Sequence, residues 1–243
     1  MAGESVKESP EMSDHQSDTR PELPFNALPP MVVAIALVLG GIELVFQLGT
    51  LGLIGGADAV GWRIAAMEDY GFFDVIFEAM RAQGQWPLEH LLRFLSYAFI
   101  HYSFTHALMV LVFILALGKM VGETFGNLAV LVIFAVATVA GSLVYGLAVN
   151  TQVQLVGAYP AAYGFVGAYT FILWIGLGRM QESRIRAFTL IGFLMGLQLV
   201  FGLMFGGTPD WIADLSGFVA GFVTAALLVP GAFGRIVARL RAR

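Results

Sequence analysis

Apolar residues in this chain fall into long runs separated by clusters of charge. Six runs, at about 31–54, 95–118, 127–150, 155–178, 187–207 and 211–231, each approach the ~20 residues a helix needs to cross about 30 Å of hydrocarbon. The pattern predicts an all-α membrane protein with six transmembrane helices. Charges gather in the first thirty residues, in 58–93, around 179–186 and at the C-terminus. Leu28-Pro29-Pro30 reads as a stop before the first helix.

Residues 58–94 break the pattern. They mix Asp58, Arg63, Glu68, Asp74, Arg81 and Arg93 with Trp62, Tyr70, Phe72, Phe73 and Trp86. Phe73, Ile76, Phe77 and Met80 give one apolar helical face. Composition alone suits a helix lying in the membrane interface and an ordinary structured loop equally well.

Composition excludes a soluble two-domain reading. The 243 residues are 58% hydrophobic and 12% charged, with mean hydropathy +0.80, against roughly a quarter charged in soluble domains. Cysteine is absent, so there is no disulfide or thiolate metal site. No metal, cofactor or nucleic-acid partner is implied. The net charge of −4 comes largely from residues 1–30, an acidic, polar stretch expected to be a disordered tail. That stretch lacks the basic start and short apolar core of a signal peptide, so the first run reads as a retained anchor. The expected organisation is a tail over 1–30, a membrane domain over 31–231 and a basic tail over 232–243.

Lys and Arg in short connections set the orientation. Lys119, Arg179, Arg184, Arg186 and the C-terminal Arg235, Arg239, Arg241 and Arg243 fall on one side of a six-span bundle. Both termini are therefore expected in the cytoplasm, in a bacterial inner or plasma membrane. Glycine pairs at four-residue spacing, Gly192/Gly196, Gly202/Gly206 and Gly217/Gly221, suit close helix approach in lipid. Glu43 is a lone acid in the first run, read as structural and hydrogen-bonded to Gln47 one turn on.

Three motifs carry candidate chemistry: His101-Tyr102-Ser103-Phe104-Thr105-His106, Gly157-Ala158-Tyr159-Pro160-Ala161-Ala162-Tyr163, and Ala213-Asp214-Leu215-Ser216-Gly217-Phe218-Val219-Ala220-Gly221. Together they resemble the rhomboid family of intramembrane serine proteases over about residues 85–225. The resemblance implies a six-helix bundle with a partly embedded loop between the first two helices. It also implies a Ser–His dyad, but this chain has Tyr159 at the serine position and Asp214 at the histidine position. Pro160 replaces the glycine after the serine, and Val110 replaces the asparagine that, with the histidine matching His106, binds the oxyanion. His101, Gly157, Tyr163, Gly217 and Gly221 match the family pattern. Arg93 resembles its loop arginine, and Gly122-Glu123-Thr124-Phe125-Gly126 its turn after the second helix.

The dyad chemistry needs a nucleophile and a base within reach. A phenol of pKa about 10 resists ionising in a low-dielectric site, and proline has no N–H and a fixed φ. The expected function is therefore a non-proteolytic membrane protein that binds transmembrane client helices. A rhomboid-family serine-type endopeptidase with a substitute dyad is the alternative. A transporter fits less well, since no inverted repeat or paired broken helices are visible. Tyr159, Asp214 and His106 are expected to meet in one buried polar cluster, with Asp214 accepting from Tyr159 or His106. Client identity and oligomeric state are not encoded in any motif.

Overall fold

The computed structural model describes residues 27–229. Most of the expected acidic tail, and the whole basic tail over 232–243, lie outside the described residues. The chain is all-α. Nine α-helices follow one another among the described residues: α1 (Pro30–Thr50), α2 (Trp62–Tyr70), α3 (Asp74–Gln83), α4 (Leu88–Ser96), α5 (Phe104–Phe125), α6 (Asn127–Ala148), α7 (Tyr159–Arg179), α8 (Thr189–Phe205) and α9 (Trp211–Leu228). Among the described residues six segments are long and apolar enough to cross a membrane: α1, α5, α6, α7, Arg184–Met204 around α8, and α9.

The second span starts later than the apolar run does. Residues 95–103 were expected inside it, but Tyr97–Phe99 form a 3-10 turn and the helix begins at Phe104. Ser103 caps that helix, its hydroxyl accepting from the His106 N–H at 3.2 Å. Tyr97, Ala98 and Ile100 are apolar because they are buried at the junction of loop and bundle, not because they span lipid. Hydropathy reports burial and not helicity, so the run was too long by about two turns. At the other end Gly126, with φ +87°, turns α5 directly into α6. An L side chain is strained in that region.

The 58–94 segment holds three short helices, and none is long enough to cross. On α3, two residues of the expected apolar face, Phe77 and Met80, are buried against the bundle, with Asp74 beside them, while Phe73 and Ile76 are half-buried. Phe72 sits in an aromatic nest with Phe77, Phe94, Tyr97 and Tyr145, at ring separations of 5.0–6.5 Å. On α4, Leu88, Leu92 and Leu95 face outward, a row suited to the headgroup–acyl boundary. Arg93 donates to the Glu68 and Gly71 carbonyls at 2.8 and 2.9 Å and closes the loop upon itself.

The helix α7 is the centre of the bundle and the most buried of its spans, whereas Arg184–Met204 is the least buried. It packs against α5, α6 and α9. Lipid is as apolar as a leucine side chain, so close backbone approach supplies the association energy. A Cβ on Gly217 would strike the Pro160 carbonyl, and one on Gly221 the Gly164 carbonyl. A Cβ on Gly167 would strike the Phe218 carbonyl from the other side. The Gly192/Gly196 pair has nothing within 4 Å and plays no such role. Equal spacing therefore distinguishes nothing by itself; what matters is which helix lies opposite.

Glu43 is only 3% exposed. It accepts from Gln47 Nε2 at 2.9 Å, as expected, and also from Arg63 at 2.9 and 2.7 Å. Arg63 reaches in from α2, and its Nη1 also donates to the His101 carbonyl at 2.8 Å. One guanidinium thus ties the first span, the loop and the entry to α5. A buried carboxylate is tolerable here because a fork-shaped cation meets both its oxygens.

Candidate functional site

The site lies at the end of the bundle where α5, α7 and α9 begin. Its floor is the extended segment 149–158, which enters α7. Three polar side chains and one backbone carbonyl fix that segment. The Asp74 carboxylate accepts from the Thr151 and Gln152 N–H groups at 2.8 and 3.3 Å. The Tyr145 hydroxyl donates to Val153 O at 2.9 Å, and the Tyr102 hydroxyl to Gln154 O at 2.6 Å. The Tyr97 backbone carbonyl accepts from the Gly157 N–H at 2.9 Å, while its hydroxyl donates to Thr138 O at 2.8 Å. Burial holds the Tyr97 phenol well above its usual pKa and pushes the Tyr102 phenol up to about 12. Both therefore remain hydrogen-bond donors.

Gly157 has φ +100°, and a Cβ there would come within 2.6 Å of the His106 ring. The glycine lets the chain turn closely beneath the two histidines. His101 is 1% exposed and accepts from the Ala158 N–H through Nε2 at 3.4 Å. Burial, then the neighbouring His106, push its pKa down to about 4, so His101 is neutral at ordinary pH. His106 Nδ1 accepts from the Tyr102 N–H at 3.3 Å, which leaves Nε2 to carry the proton of the neutral ring. The two imidazoles lie edge to face, 5.5 Å apart.

Tyr159 is the first residue of α7, and its ring stacks on His106 at 4.8 Å and 21°. Pro160 follows in the first helical turn, where an amide N–H has no intrahelical partner, so the proline costs the helix nothing. Its ring packs where a Cβ on Gly141 would stand, 2.6 Å away. Tyr163, one turn on, is buried with Val166, Ile191 and Phe218. Val110 is fully buried in the apolar core with Ile114 and Ala158 and offers no polar group.

Asp214 is 3% exposed, in the first turn of α9. Its Oδ2 accepts from Gln198 Nε2 on α8 at 3.1 Å, and its Oδ1 has no hydrogen-bond partner. The expected bond to Tyr159 or His106 is replaced by the one to Gln198. The phenol ring is turned to stack on imidazole, and the carboxylate is turned toward α8. The tie expected between α7 and α9 is made by the glycine contacts instead. Tyr159, His106 and Asp214 nevertheless line one cavity of about 360 Å³, with Gln198 and Asp210 beside them. Its walls come from α5, α7, α8 and α9, and Met109, Phe113, Leu194 and Leu197 make its apolar sides. Burial raises the Asp210 carboxyl, which is partly compensated by the Thr208 hydroxyl at 2.9 Å. Among the described residues no cluster of three or more His, Asp or Glu is placed to hold a metal.

The motifs missed Arg63, Asp74, Gln198 and Asp210. Two had a signal. Gln198 is a lone amide in the fifth apolar run, and Asp210 precedes Asp214 by one helical turn. Arg63 and Asp74 had none, because their partners lie far away in sequence.

Among the described residues, six apolar helices, four of which line one cavity, define a multi-pass helical membrane bundle. The rhomboid domain family matches residues 88–231, more than half of the chain, and the chain belongs to the rhomboid family. It is similar to Rhomboid-like protease 3 of Toxoplasma gondii, 27% identical over 131 residues, covering 54% of this chain and 49% of that one. It is also similar to Rhomboid-like protease 1 of the same organism, 24% identical over 199 residues, covering 82% and 64%. The matches thus span from about half to under two thirds of these relatives' lengths. The family match begins at α4, so α1 to α3 lie before it.

Proposed function

We propose that this rhomboid-family protein binds transmembrane segments of client proteins without cleaving them. The observation that carries the reading is the Tyr159–His106 stack. It fills the place of the family's serine with a ring that packs and does not attack. Three further features support it. Asp214 is engaged with Gln198, Pro160 supplies no N–H, and Val110 supplies no oxyanion donor. Removing one such donor typically lowers rate by about 10²–10³, and removing the nucleophile leaves no acyl-enzyme route. The tight α7–α9 packing and the cavity between α5 and α8 are what helix reception needs.

We place both termini in the cytoplasm and the protein in the plasma membrane, because Lys119, Arg179, Arg184 and Arg186 lie at the end of the bundle opposite the cavity. The test is incubation of the purified protein with transmembrane substrates in liposomes, together with cysteine crosslinking from α5 or α8 to a bound helix. Crosslinks without cleavage are expected. Cleavage abolished by Tyr159→Phe or Asp214→Asn would overturn the reading.

A second reading is a serine-type endopeptidase of the family working through a substitute dyad. The names of the two relatives, and the Tyr159 and Asp214 side chains sharing one cavity, favour it. The same assay separates the two.

A further inference from the structure

Three acceptor atoms of cavity-lining residues are buried without a hydrogen-bond partner among the described residues: Asp214 Oδ1, Asp210 Oδ1 and Gln198 Oε1. All three residues line the same space. Asp214 is 97% buried in its helix, by its 3% exposure. Among the described residues no Lys or Arg lines the cavity. The donors near these atoms are already engaged, Gln198 Nε2 with Asp214 and the Thr208 hydroxyl with Asp210. The other donors that line the cavity, on His106, Tyr159 and Tyr163, make no hydrogen bond to these three atoms.

A buried acceptor left unpaired is unfavourable, and a carboxylate within a membrane is more so unless a cation meets it. These groups therefore form a site complementary to a donor-rich cation. We propose that the cavity recognises a basic side chain, Lys or Arg, carried by the client helix. A lysine ammonium has three donors and no acceptor, and a guanidinium has five donors. The apolar walls from Met109, Phe113, Leu194 and Leu197 would hold the helix body and the stem of the basic chain. Asp210 and Asp214 lie at the start of α9, near the membrane boundary. The client residue must then lie in the terminal turn of its apolar stretch, where Lys and Arg are tolerated by snorkelling.

This proposal rests on the client-binding reading and goes beyond it by naming what is recognised. The experiment uses the full chain in phosphatidylcholine nanodiscs and four single-span Leu/Ala peptides. They carry Lys, Arg, Met or Glu at one position in the terminal turn on the cavity side. Binding is read by fluorescence transfer to a label on α8. The Lys and Arg peptides should bind at least tenfold more tightly than the Met peptide, and the Glu peptide most weakly. Asp214→Asn, which keeps an acceptor for Gln198, and separately Asp210→Asn should each cut the ratio of Lys-peptide to Met-peptide affinity several-fold.

Equal binding of all four peptides would overturn the charge proposal and leave client binding standing. No binding of any peptide would overturn both. A Lys preference that survives both Asp variants would place the recognition elsewhere and overturn the proposal. So would phosphatidylethanolamine retained on wild type but not on Asp214→Asn in native mass spectrometry, with no Lys preference. That outcome would assign the acceptors to a lipid amine.

Discussion

The Gln198 amide on α8 reaches the Asp214 carboxylate on α9 at 3.1 Å, a polar tie between the least buried span and the packed centre of the bundle. Few other contacts hold α8: Ile191 is its one buried residue among those described. The tie connects the position where the family carries its histidine to the helix that forms one wall of the cavity.

Gln198→Leu should therefore loosen α8 more than it unfolds the protein. A hydrogen bond between membrane helices contributes about 0.6 kcal/mol on average, so the loss of global stability should be small. The natural chain has no cysteine, so spin labels placed on α5 and α8 are unique. Their distance distribution should broaden in Gln198→Leu and remain narrow in wild type. Asp214→Ala should cost more than Ser216→Ala in thermal stability, because it leaves the Gln198 amide buried without its acceptor.

Breaking the Glu43–Arg63 pair should be among the most damaging single changes. Arg63→Met leaves the buried carboxylate with only the neutral Gln47 amide, at a cost of about 3–5 kcal/mol. The double change Glu43→Leu with Arg63→Met removes both charges and should recover much of the loss. Thermal unfolding in detergent of the two single variants and the double variant checks this. Equal damage in single and double variants would show that the charges themselves are not the issue.

Gly221→Ala should destabilise the bundle by about 1–3 kcal/mol or more. Its Cβ would enter the Gly164 carbonyl, a backbone atom that no rotamer change can move aside. Gly196→Ala, with nothing within 4 Å, is the matched control and should be neutral or slightly stabilising. Steric-trap or thermal measurements on both variants test whether helix contact, and not glycine spacing, sets the effect.

Stability should fall as the medium is acidified, in part through His101. Its folded pKa is depressed to about 4, below the ordinary 6.5, by burial. The unfolded chain therefore takes up a proton first as pH falls. The contribution is fully present above about pH 6.5 and is lost progressively down to about pH 4, a change on the order of 3 kcal/mol. Asp210 acts in the opposite sense, because its raised folded pKa favours the protonated folded form. Comparing wild type with His101→Gln, which keeps an acceptor for the Ala158 N–H, cancels the Asp210 term. The variant should show the shallower decline between pH 7 and 4.5.

Local chemistry in the chain determined the class of the protein. Runs of about 20 apolar residues leave a helix no choice in lipid, where every backbone group must be satisfied internally. The loop face of Phe77 and Met80, the Glu43–Gln47 bond and the glycine Gly126 were legible for the same reason. Each depends on residues within a turn or two of one another, at helical spacing or at a break. The degenerate motif positions Tyr159, Asp214 and Val110 were likewise visible as residue types at fixed offsets.

What those residues do was decided only by the tertiary structure. Gln198 and Asp214 are sixteen positions apart and lie on different helices, and Arg63 lies twenty positions from Glu43. No periodicity encodes such meetings; helix packing creates them. The same holds for the second span, whose first apolar residues are buried in a loop junction and not in lipid. It holds also for the glycines, since Gly221 meets a backbone and Gly196 meets nothing. Residue type sets which interactions are possible, and the packing of α7 between its neighbours sets which of them are made. A buried polar group must find its partner wherever the fold brings one, because a membrane interior offers no water in its place.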